Sequence, residues 1–304
     1  MGNPEFAVPS LKKIVESEYS LLAVVSNPSK PTGRKKTEKI TKIGEFAKSK
    51  NIPLLQPQTL DDPGFLADMN TLYPDYFLVV AFKILPDSLL NIPQKGSINL
   101  HASLLPHYRG AAPIQRAIMN GERETGLTTF IIRRVVDTGS ILMQVTVPIN
   151  YSDNYGTLSE KMSEKGADLL LETLNHLKDN SLIPQEQDHS LATTAPKIKE
   201  EDSWINWVQS AEIIHNQIRG LAPIPGAFTY WKGMRLRILK SRVNQSNERK
   251  NPGSVIHCNK KQLMIQTGDG QIELQTIQRE RKKIMSTSDF LNGVEVIIGD
   301  TFGV

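Results

Sequence analysis

Cysteine is nearly absent from this sequence, since Cys258 is the only one among 304 residues. A single thiol excludes an intramolecular disulfide and is typical of proteins in a reducing compartment such as the cytosol. No group of Cys and His has the spacing of metal ligands, so we expect no metal. No apolar run reaches the roughly 20 residues of a membrane span, and the first residues lack the charged start and apolar core of a signal peptide. We therefore expect a cytoplasmic protein without a membrane partner.

Charge is present but unevenly distributed along the chain. Residues 203–304 carry 14 Lys and Arg against 8 Asp and Glu (14 − 8 = +6), and residues 1–202 carry 22 against 24 (22 − 24 = −2), which together give the overall +4. The basic part favours a polyanionic partner, because Lys and Arg near phosphates release counterions. A solvated basic surface explains the same counts, so charge alone leaves nucleic-acid binding open.

Length and hydrophobic pattern predict two domains. The 304 residues exceed one ordinary domain of roughly 100–200 residues. Apolar strands alternate with amphipathic helices over 1–183, which is typical of an α/β fold with a doubly wound, mostly parallel sheet. Its last segment, 154–180, predicts two helical pieces. The stretch 184–202 has few large apolar residues and two prolines, typical of a linker, and the short β-rich runs over 203–304 predict a small barrel.

Three polar residues stand out between Gly96 and Gly139. Asn99 and His101 alternate with apolar residues in GSINLHASLLPHYRG, so on a strand both side chains point to one face. Asp137 follows in VVDTG, where a β-branched pair gives way to a turn. An amide can stabilise an oxyanion, an imidazole can donate a proton, and a carboxylate can orient that imidazole, so the set suits acyl transfer at a carbonyl. Each residue alone is also typical of a turn, a cap or a satisfied polar group.

These motifs resemble the folate-dependent formyltransferases. The run INLHASLLPHYRGAAPIQRAI, followed by VVDTGSIL, carries the resemblance, which extends from GNPEFAVPSL to GDTFGV at the end. In that family the Asn, His and Asp of these motifs are catalytic, and they match Asn99, His101 and Asp137. The resemblance implies a Rossmann-like formyltransferase domain over 1–183, a linker over 184–202 and an OB-like tRNA-binding domain over 203–304. The implied reaction transfers the formyl group of 10-formyltetrahydrofolate to the α-amino group of methionyl initiator tRNA, for translation initiation.

The resemblance also implies residues that contact each substrate. The positions that match the folate site of the family are Phe82, Ile84, Leu85, Ser103, Leu104, Leu105, Pro106, Val135, Val136, Thr138 and Gly139. In the members that act on tRNA, a basic loop enters the groove of the acceptor stem, and its basic centre matches Arg34, Lys35 and Lys36. In MRLRILKSR, charges alternate with apolar residues on a predicted strand, so we also expect Arg235 and Arg237 to face tRNA.

Two alternative functions stay open. The same trio serves enzymes that formylate a small amine, such as glycinamide ribonucleotide or an amino sugar, and only the basic loop and basic second domain favour tRNA. A noncatalytic RNA-binding protein on the same scaffold is the other alternative, and a turnover assay distinguishes it from an enzyme.

Relatives begin with an apolar strand before MGNPEF, so we expect a misassigned start codon, because losing a central strand leaves its neighbours unpaired. We expect a monomer.

Overall fold

A computed structural model describes residues 1–32, 37–246 and 249–303. The helices are α1 (Val8–Val15), α2 (Lys42–Ser49), α3 (Pro63–Thr71), α4 (Asp87–Leu90), α5 (Pro113–Met119), α6 (Tyr155–Lys178), α7 (Ala211–Leu221) and α8 (Thr287–Asn292). The strands are β1 (Val24–Val25), β2 (Lys30–Thr32), β3 (Thr37–Lys39), β4 (Leu54–Leu55), β5 (Phe77–Val80), β6 (Ser97–His101), β7 (Glu124–Ile131), β8 (Ile141–Pro148), β9 (Ala227–Trp231), β10 (Met234–Asn244), β11 (Val255–Cys258), β12 (Leu263–Gln266), β13 (Gln271–Arg279) and β14 (Ile284–Ser286).

The chain divides into two compact units. The first comprises residues 1–110, 125–148 and 159–195, and the second comprises 111–124, 149–158 and 196–304. Each unit therefore draws on more than one stretch of the sequence. The domain boundaries expected from the sequence, 1–183, 184–202 and 203–304, stay predictions.

The first unit is built around a sheet of order β5-β6-β7-β8, in which β5 and β6 run parallel and β7 pairs antiparallel with β6. A second, parallel pair is formed by β1 and β4. Gly2 connects the two, because it bridges Val80 of β5 in parallel and its N–H donates to the carbonyl of Val25 in β1 (3.1 Å). The predicted α/β class with parallel strands is confirmed.

Local sequence explains where α3 begins and which residues it buries. Asp62 is the N-cap, since its carboxylate accepts the N–H of Phe65 (2.8 Å), and Pro63 takes the first helical position, where it loses no hydrogen bond. Phe65 packs with Phe77 of β5 and Leu89 of α4 in one apolar cluster. Burial of each large apolar side chain contributes about 1.5–3 kcal/mol, which fixes the helices against β5.

The two helical pieces predicted over 154–180 are one helix, so that prediction is wrong. α6 runs unbroken for 24 residues. Its internal glycine, Gly166, lies against the sheet, because a β-carbon there would be 2.7 Å from the side chain of Leu100 in β6. Glycine therefore permits a close approach of helix and strand at this position instead of ending the helix.

The second unit contains an antiparallel sheet of order β11-β12-β13-β10-β9, with β14 paired to β13. Helix α7 begins after Ser210, which is its N-cap because the side chain accepts the N–H of Ile213 (3.3 Å). The C-terminal residues link the two edge strands, since Thr301 bridges Ser254 beside β11 and Phe302 bridges Trp231 of β9. Through these bridges the C-terminal residues contact both edges of the sheet, an arrangement that approaches the small barrel predicted from the β-rich pattern.

Candidate active site

Asn99 and His101 lie on one face of β6, as their alternation predicts. Ile98 is fully buried and Leu100 faces Gly166 of α6, so the period of two directs Asn99 and His101 to the opposite face. The Asn99 side chain is half-buried and makes no hydrogen bond to any other residue that the structure describes. Its amide is therefore available to a ligand.

The hydrogen bonds of His101 determine which ring nitrogen is available for chemistry. Its side chain is only 7% exposed, and Nε2 lies 3.0 Å from the carbonyl oxygen of Tyr108. Because a carbonyl oxygen only accepts, Nε2 carries the proton of this hydrogen bond. Nδ1 faces Asp137, with 3.9 Å between Nδ1 and Oδ2. That distance exceeds a hydrogen bond, so Nδ1 is left for a reacting group.

Asp137 lies in the turn between β7 and β8, in the left-handed region with φ 55°. Its carboxylate is 11% exposed and accepts the backbone N–H of Gly110 (2.8 Å). The turn sits tightly on the sheet, since a β-carbon on Gly139 would lie 1.6 Å from the carbonyl oxygen of Ile131. The carboxylate is thus fixed with Oδ2 toward His101, and the short segment 108–110 holds both side chains.

The predicted folate loop, Ser103 to Pro106, is held by hydrogen bonds from strands β7 and β8. Ser103 is fully buried and its hydroxyl donates to the carbonyl of His107 (2.6 Å). Thr128 of β7 donates to the carbonyl of Ser103 (2.7 Å) and accepts the N–H of Leu105 (3.1 Å). Gln144 of β8 donates to both Thr128 and the carbonyl of Leu105 (2.9 Å each). Leu105 is buried, whereas Leu104 and Pro106 are half-buried.

The other residues predicted to bind folate lie on the loops after β5 and β7. An ion pair between Asp87 and Arg134 connects these loops. Three of the predicted side chains are apolar yet exposed, namely Ile84, Val135 and Val136. Phe82 and Thr138 are half-buried, and Leu85 belongs to the apolar cluster of α3 and β5. Their contacts with folate stay predictions.

Sequence reasoning missed Gln187, which lies behind the Asp137 turn. Its side chain is buried and bonds the backbone of the turn on one side and the guanidinium of Arg109 on the other. Gln187 falls within the predicted linker, where no apolar periodicity or motif draws attention to it. The bridge between Arg109 and Thr194, and that between Ile141 and Gln185, tie this stretch to the first unit.

The second unit contains a basic cavity of about 270 Å³. Arg235 and Arg237 of β10 line it, and Arg235 stacks over the rings of Phe228 (4.1 Å) and Trp204 (5.0 Å). Arg237 donates to Gln278 (2.9 Å), and burial lowers the pKa of its guanidinium. The lining also includes Arg279, Glu280 and Arg281. The other predicted tRNA contacts, Arg34, Lys35 and Lys36, lie outside the described residues.

Residues 1–32, 37–246 and 249–303 contain neither a metal-binding cluster nor a membrane-spanning helix. No group of three or more His, Cys, Asp and Glu side chains there is arranged to hold a metal ion. No helix in the same ranges has the length and apolar character needed to cross a bilayer.

Two family models match the sequence. The formyl transferase model matches residues 1–174, and the model of the formyl transferase C-terminal domain matches residues 197–295. The chain belongs to the formyl transferase family. The formyl transferase match contains Asn99, His101 and Asp137, and the match to the C-terminal domain contains Arg235 and Arg237.

Formyl transferases of named specificity are similar over nearly the whole chain. The methionyl-tRNA formyltransferase of Thermodesulfovibrio yellowstonii is 44% identical over 303 residues, covering 99% of this chain and 97% of that protein. The methionyl-tRNA formyltransferase of Caldanaerobacter subterraneus subsp. tengcongensis is 42% identical over 295 residues, covering 96% and 95%.

A solved structure of lower identity shows the same fold. It is an N-formyltransferase from Helicobacter canadensis in complex with folinic acid and dTDP-3-aminofucose, with a TM-score of 0.68 at 22% identity, covering 91% of this chain and 97% of that chain.

Proposed function

We propose that this formyl transferase moves a formyl group from a folate to the α-amino group of methionine on initiator tRNA, giving formylmethionyl-tRNA for translation initiation. The observation that carries the proposal is the convergence of Asn99, His101 and Asp137 in the first unit of a formyl transferase. The acceptor is supported by relatives named methionyl-tRNA formyltransferase at up to 44% identity over nearly the full chain. The donor is a folate derivative, and 10-formyltetrahydrofolate is the form that we propose.

The exposed apolar residues beside the trio support the folate part of the proposal. Ile84, Val135 and Val136 are 72%, 65% and 46% exposed. Apolar side chains with that exposure, close to convergent polar groups, are typical of a site that a flat aromatic ring covers. We assign the pterin ring to this surface and to the backbone of the Ser103 to Pro106 loop.

The chemistry follows from the two available groups of the trio. The amine of methionine attacks the formyl carbon, a new C–N bond forms, and negative charge develops on the formyl oxygen. The amide of Asn99, which bonds no other described residue, donates to that oxygen, a contribution of about 10²–10³ in rate for one such donor. The bond from the formyl carbon to N10 of the folate then breaks, and the electron pair stays on N10.

His101 and Asp137 move the proton that the amine must lose. Nδ1 of His101 accepts it, because Nε2 is already bonded to Tyr108. The resulting imidazolium lies 3.9 Å from the carboxylate of Asp137, which stabilises its charge until the proton passes to N10. Proton transfer of this kind contributes about 10²–10⁴ in rate. Atoms and charge balance without any further reactant.

The basic cavity of the second unit supports an RNA-borne acceptor. Guanidinium groups of Arg235 and Arg237 suit phosphates, and Trp204, which stacks on Tyr230 (5.1 Å), offers an adjacent aromatic surface. The net +6 of residues 203–304 adds long-range attraction. We include Arg34, Lys35 and Lys36 among the proposed tRNA contacts on the resemblance alone. We also propose that the enzyme is monomeric and cytoplasmic.

The acceptor is tested by competition. The protein is incubated with 10-formyltetrahydrofolate, methionyl initiator tRNA, glycinamide ribonucleotide and a dTDP-linked amino sugar, and each formylated product is measured by mass spectrometry. We expect formylmethionine to dominate and to disappear in His101→Ala. Preferential formylation of the sugar, the alternative suggested by the Helicobacter canadensis structure, would reject the tRNA acceptor while keeping the chemistry.

The RNA surface is tested separately by binding. We expect Arg235→Ala to weaken initiator-tRNA binding and to reduce the slope of log K against log salt by about 1, because one phosphate contact is lost. Lys260→Ala is the control, since it removes an equal charge from an exposed position of the same unit outside the cavity. Equal effects of the two substitutions would reject a specific role for the cavity.

A further inference from the structure

Gln187 uses its whole side-chain amide in hydrogen bonds. The residue is 6% exposed. Its Nε2 donates to the carbonyl of Asp137 (3.0 Å) and to that of Gly139 (2.7 Å), so both N–H groups are used. Its Oε1 accepts from Nε (3.2 Å) and Nη2 (2.6 Å) of Arg109. A fully satisfied, buried amide of this kind fixes its partners in one geometry.

The partners of Gln187 are the backbone that carries the proposed acid–base group. Asp137 has a positive φ of 55°, a left-handed conformation that is uncommon for residues other than glycine, although Asp and Asn adopt it more readily than the rest. Two donors from Gln187 hold the carbonyls at and after this residue, and the N–H of Gly110 holds its carboxylate. Gln187 therefore holds the backbone at Asp137, and Gly110 holds its side chain.

Arg109 connects Gln187 to Gly110, by hydrogen bonds on one side and by the peptide chain on the other. Its guanidinium bonds Gln187, and the next residue in the chain is Gly110, whose N–H reaches Asp137. The backbone of Arg109 is itself fixed, since its N–H donates to the carbonyl of Thr193 (2.9 Å) and its carbonyl accepts the N–H of Ala195 (2.6 Å). The guanidinium of Arg109 therefore anchors Gln187 to a fixed segment, 108–110, which also bonds His101 through Tyr108.

The turn is also held through Glu186, whose side chain is exposed. Arg133 and Ser140 both bond Glu186, but the Arg133 and Glu186 side chains are 53% and 64% exposed. Exposed ion pairs typically contribute about 0–1 kcal/mol, whereas loss of a partner for a buried polar group costs about 1–3 kcal/mol. The buried amide of Gln187 is therefore the stronger restraint on Asp137.

We infer that Gln187 is a positioning residue for catalysis, which holds the Asp137 carboxylate beside Nδ1 of His101. The inference rests on the proposed function, because it concerns the rate of that reaction. Gln187 touches no substrate and acts through Asp137. Only a side chain with donors at one atom and an acceptor at another, at this length, meets both the carbonyls and the guanidinium: a glutamate cannot donate to carbonyls, and an asparagine is one methylene shorter.

The test compares Gln187→Met, which keeps the length but has no amide, with the wild-type enzyme in steady-state formylation assays. A carboxylate displaced by about 1 Å costs on the order of 10²-fold, so we expect kcat to fall by about that factor with little change in KM for either substrate. Gln185→Met is the matched control, because the Gln185 side chain is exposed and, among the described residues, only the backbone of Gln185 is hydrogen-bonded. We expect it to keep wild-type kcat.

A double-mutant cycle separates positioning from a general loss of structure. If Gln187 acts through Asp137, Gln187→Met has no further effect on kcat in an Asp137→Ala background, where the carboxylate is already gone. Gln187→Glu retains the bond to Arg109 and serves as a second variant if Gln187→Met unfolds, which circular dichroism would reveal. We expect the same non-additivity from it. The inference is overturned if the effects of the two substitutions on kcat multiply in the double mutant. It is also overturned if the wild-type enzyme is active and Gln187→Met has the same kcat. An inactive wild type would instead overturn the proposed function.

Discussion

Replacement of Asn99 by leucine separates catalysis from stability more cleanly than any other change in the site. The Asn99 amide is half-buried and makes no hydrogen bond to another described residue. Leucine has the same number of side-chain heavy atoms, branched at the same position, and leaves no described partner unsatisfied, so the free energy of unfolding should stay nearly unchanged. The lost donor to the developing oxyanion should lower kcat by about 10²–10³, equivalent to about 2.7–4 kcal/mol of the activation free energy.

The measurement pairs single-turnover formylation with urea unfolding of Asn99→Leu. Ser103→Ala is the control of opposite character, because the Ser103 hydroxyl is fully buried and donates to the carbonyl of His107 (2.6 Å). That substitution removes a hydrogen bond made by a buried hydroxyl and should cost about 0.5–1.5 kcal/mol of stability. Near-normal turnover by Asn99→Leu would refute the oxyanion role. A loss of turnover matched by a loss of stability would refute the claim that the amide has no structural task.

Three further predictions concern the acid–base pair, the helix contact and pH. Asp137→Asn should lower kcat by about 10²–10⁴ in formylation assays, since asparagine keeps the turn but not the charge, and a small loss would argue against proton transfer. Gly166→Val should cost about 1–3 kcal/mol in urea unfolding, because its β-carbon meets Leu100 at 2.7 Å, whereas the exposed Lys165→Val should cost less. Burial lowers the pKa of His215 to about 4. Between that pH and the ordinary value of about 6.5 the unfolded chain binds a proton that the native state does not, so stability should rise with pH across this window. Thermal unfolding of His215→Gln should show a flatter rise, and an unchanged slope would contradict this origin.

Much of the fold was predictable because it is written in short-range patterns. Strand alternation predicts Asn99 and His101 on one face of β6, where the structure has them. The helical pattern of 154–180 was visible, but its division into two was wrong, because pattern alone cannot show that Gly166 is the contact point with Leu100. The sequence alone does not distinguish a glycine that ends a helix from one that allows a neighbouring strand to approach the helix closely.

The candidate site was predictable in its reacting residues and not in their support. The sequence by itself determined the chemistry, because an amide, an imidazole and a carboxylate are defined by residue type and by motifs that resemble a known family. Only the tertiary structure decided that the segment 108–110 bonds both His101 and Asp137, and that Gln187, 50 residues from Asp137, holds the turn. Such hydrogen bonds join residues distant in the chain, and their strength depends on distance and angle. Local periodicity records which residues are buried, but only the path of the folded backbone sets those distances.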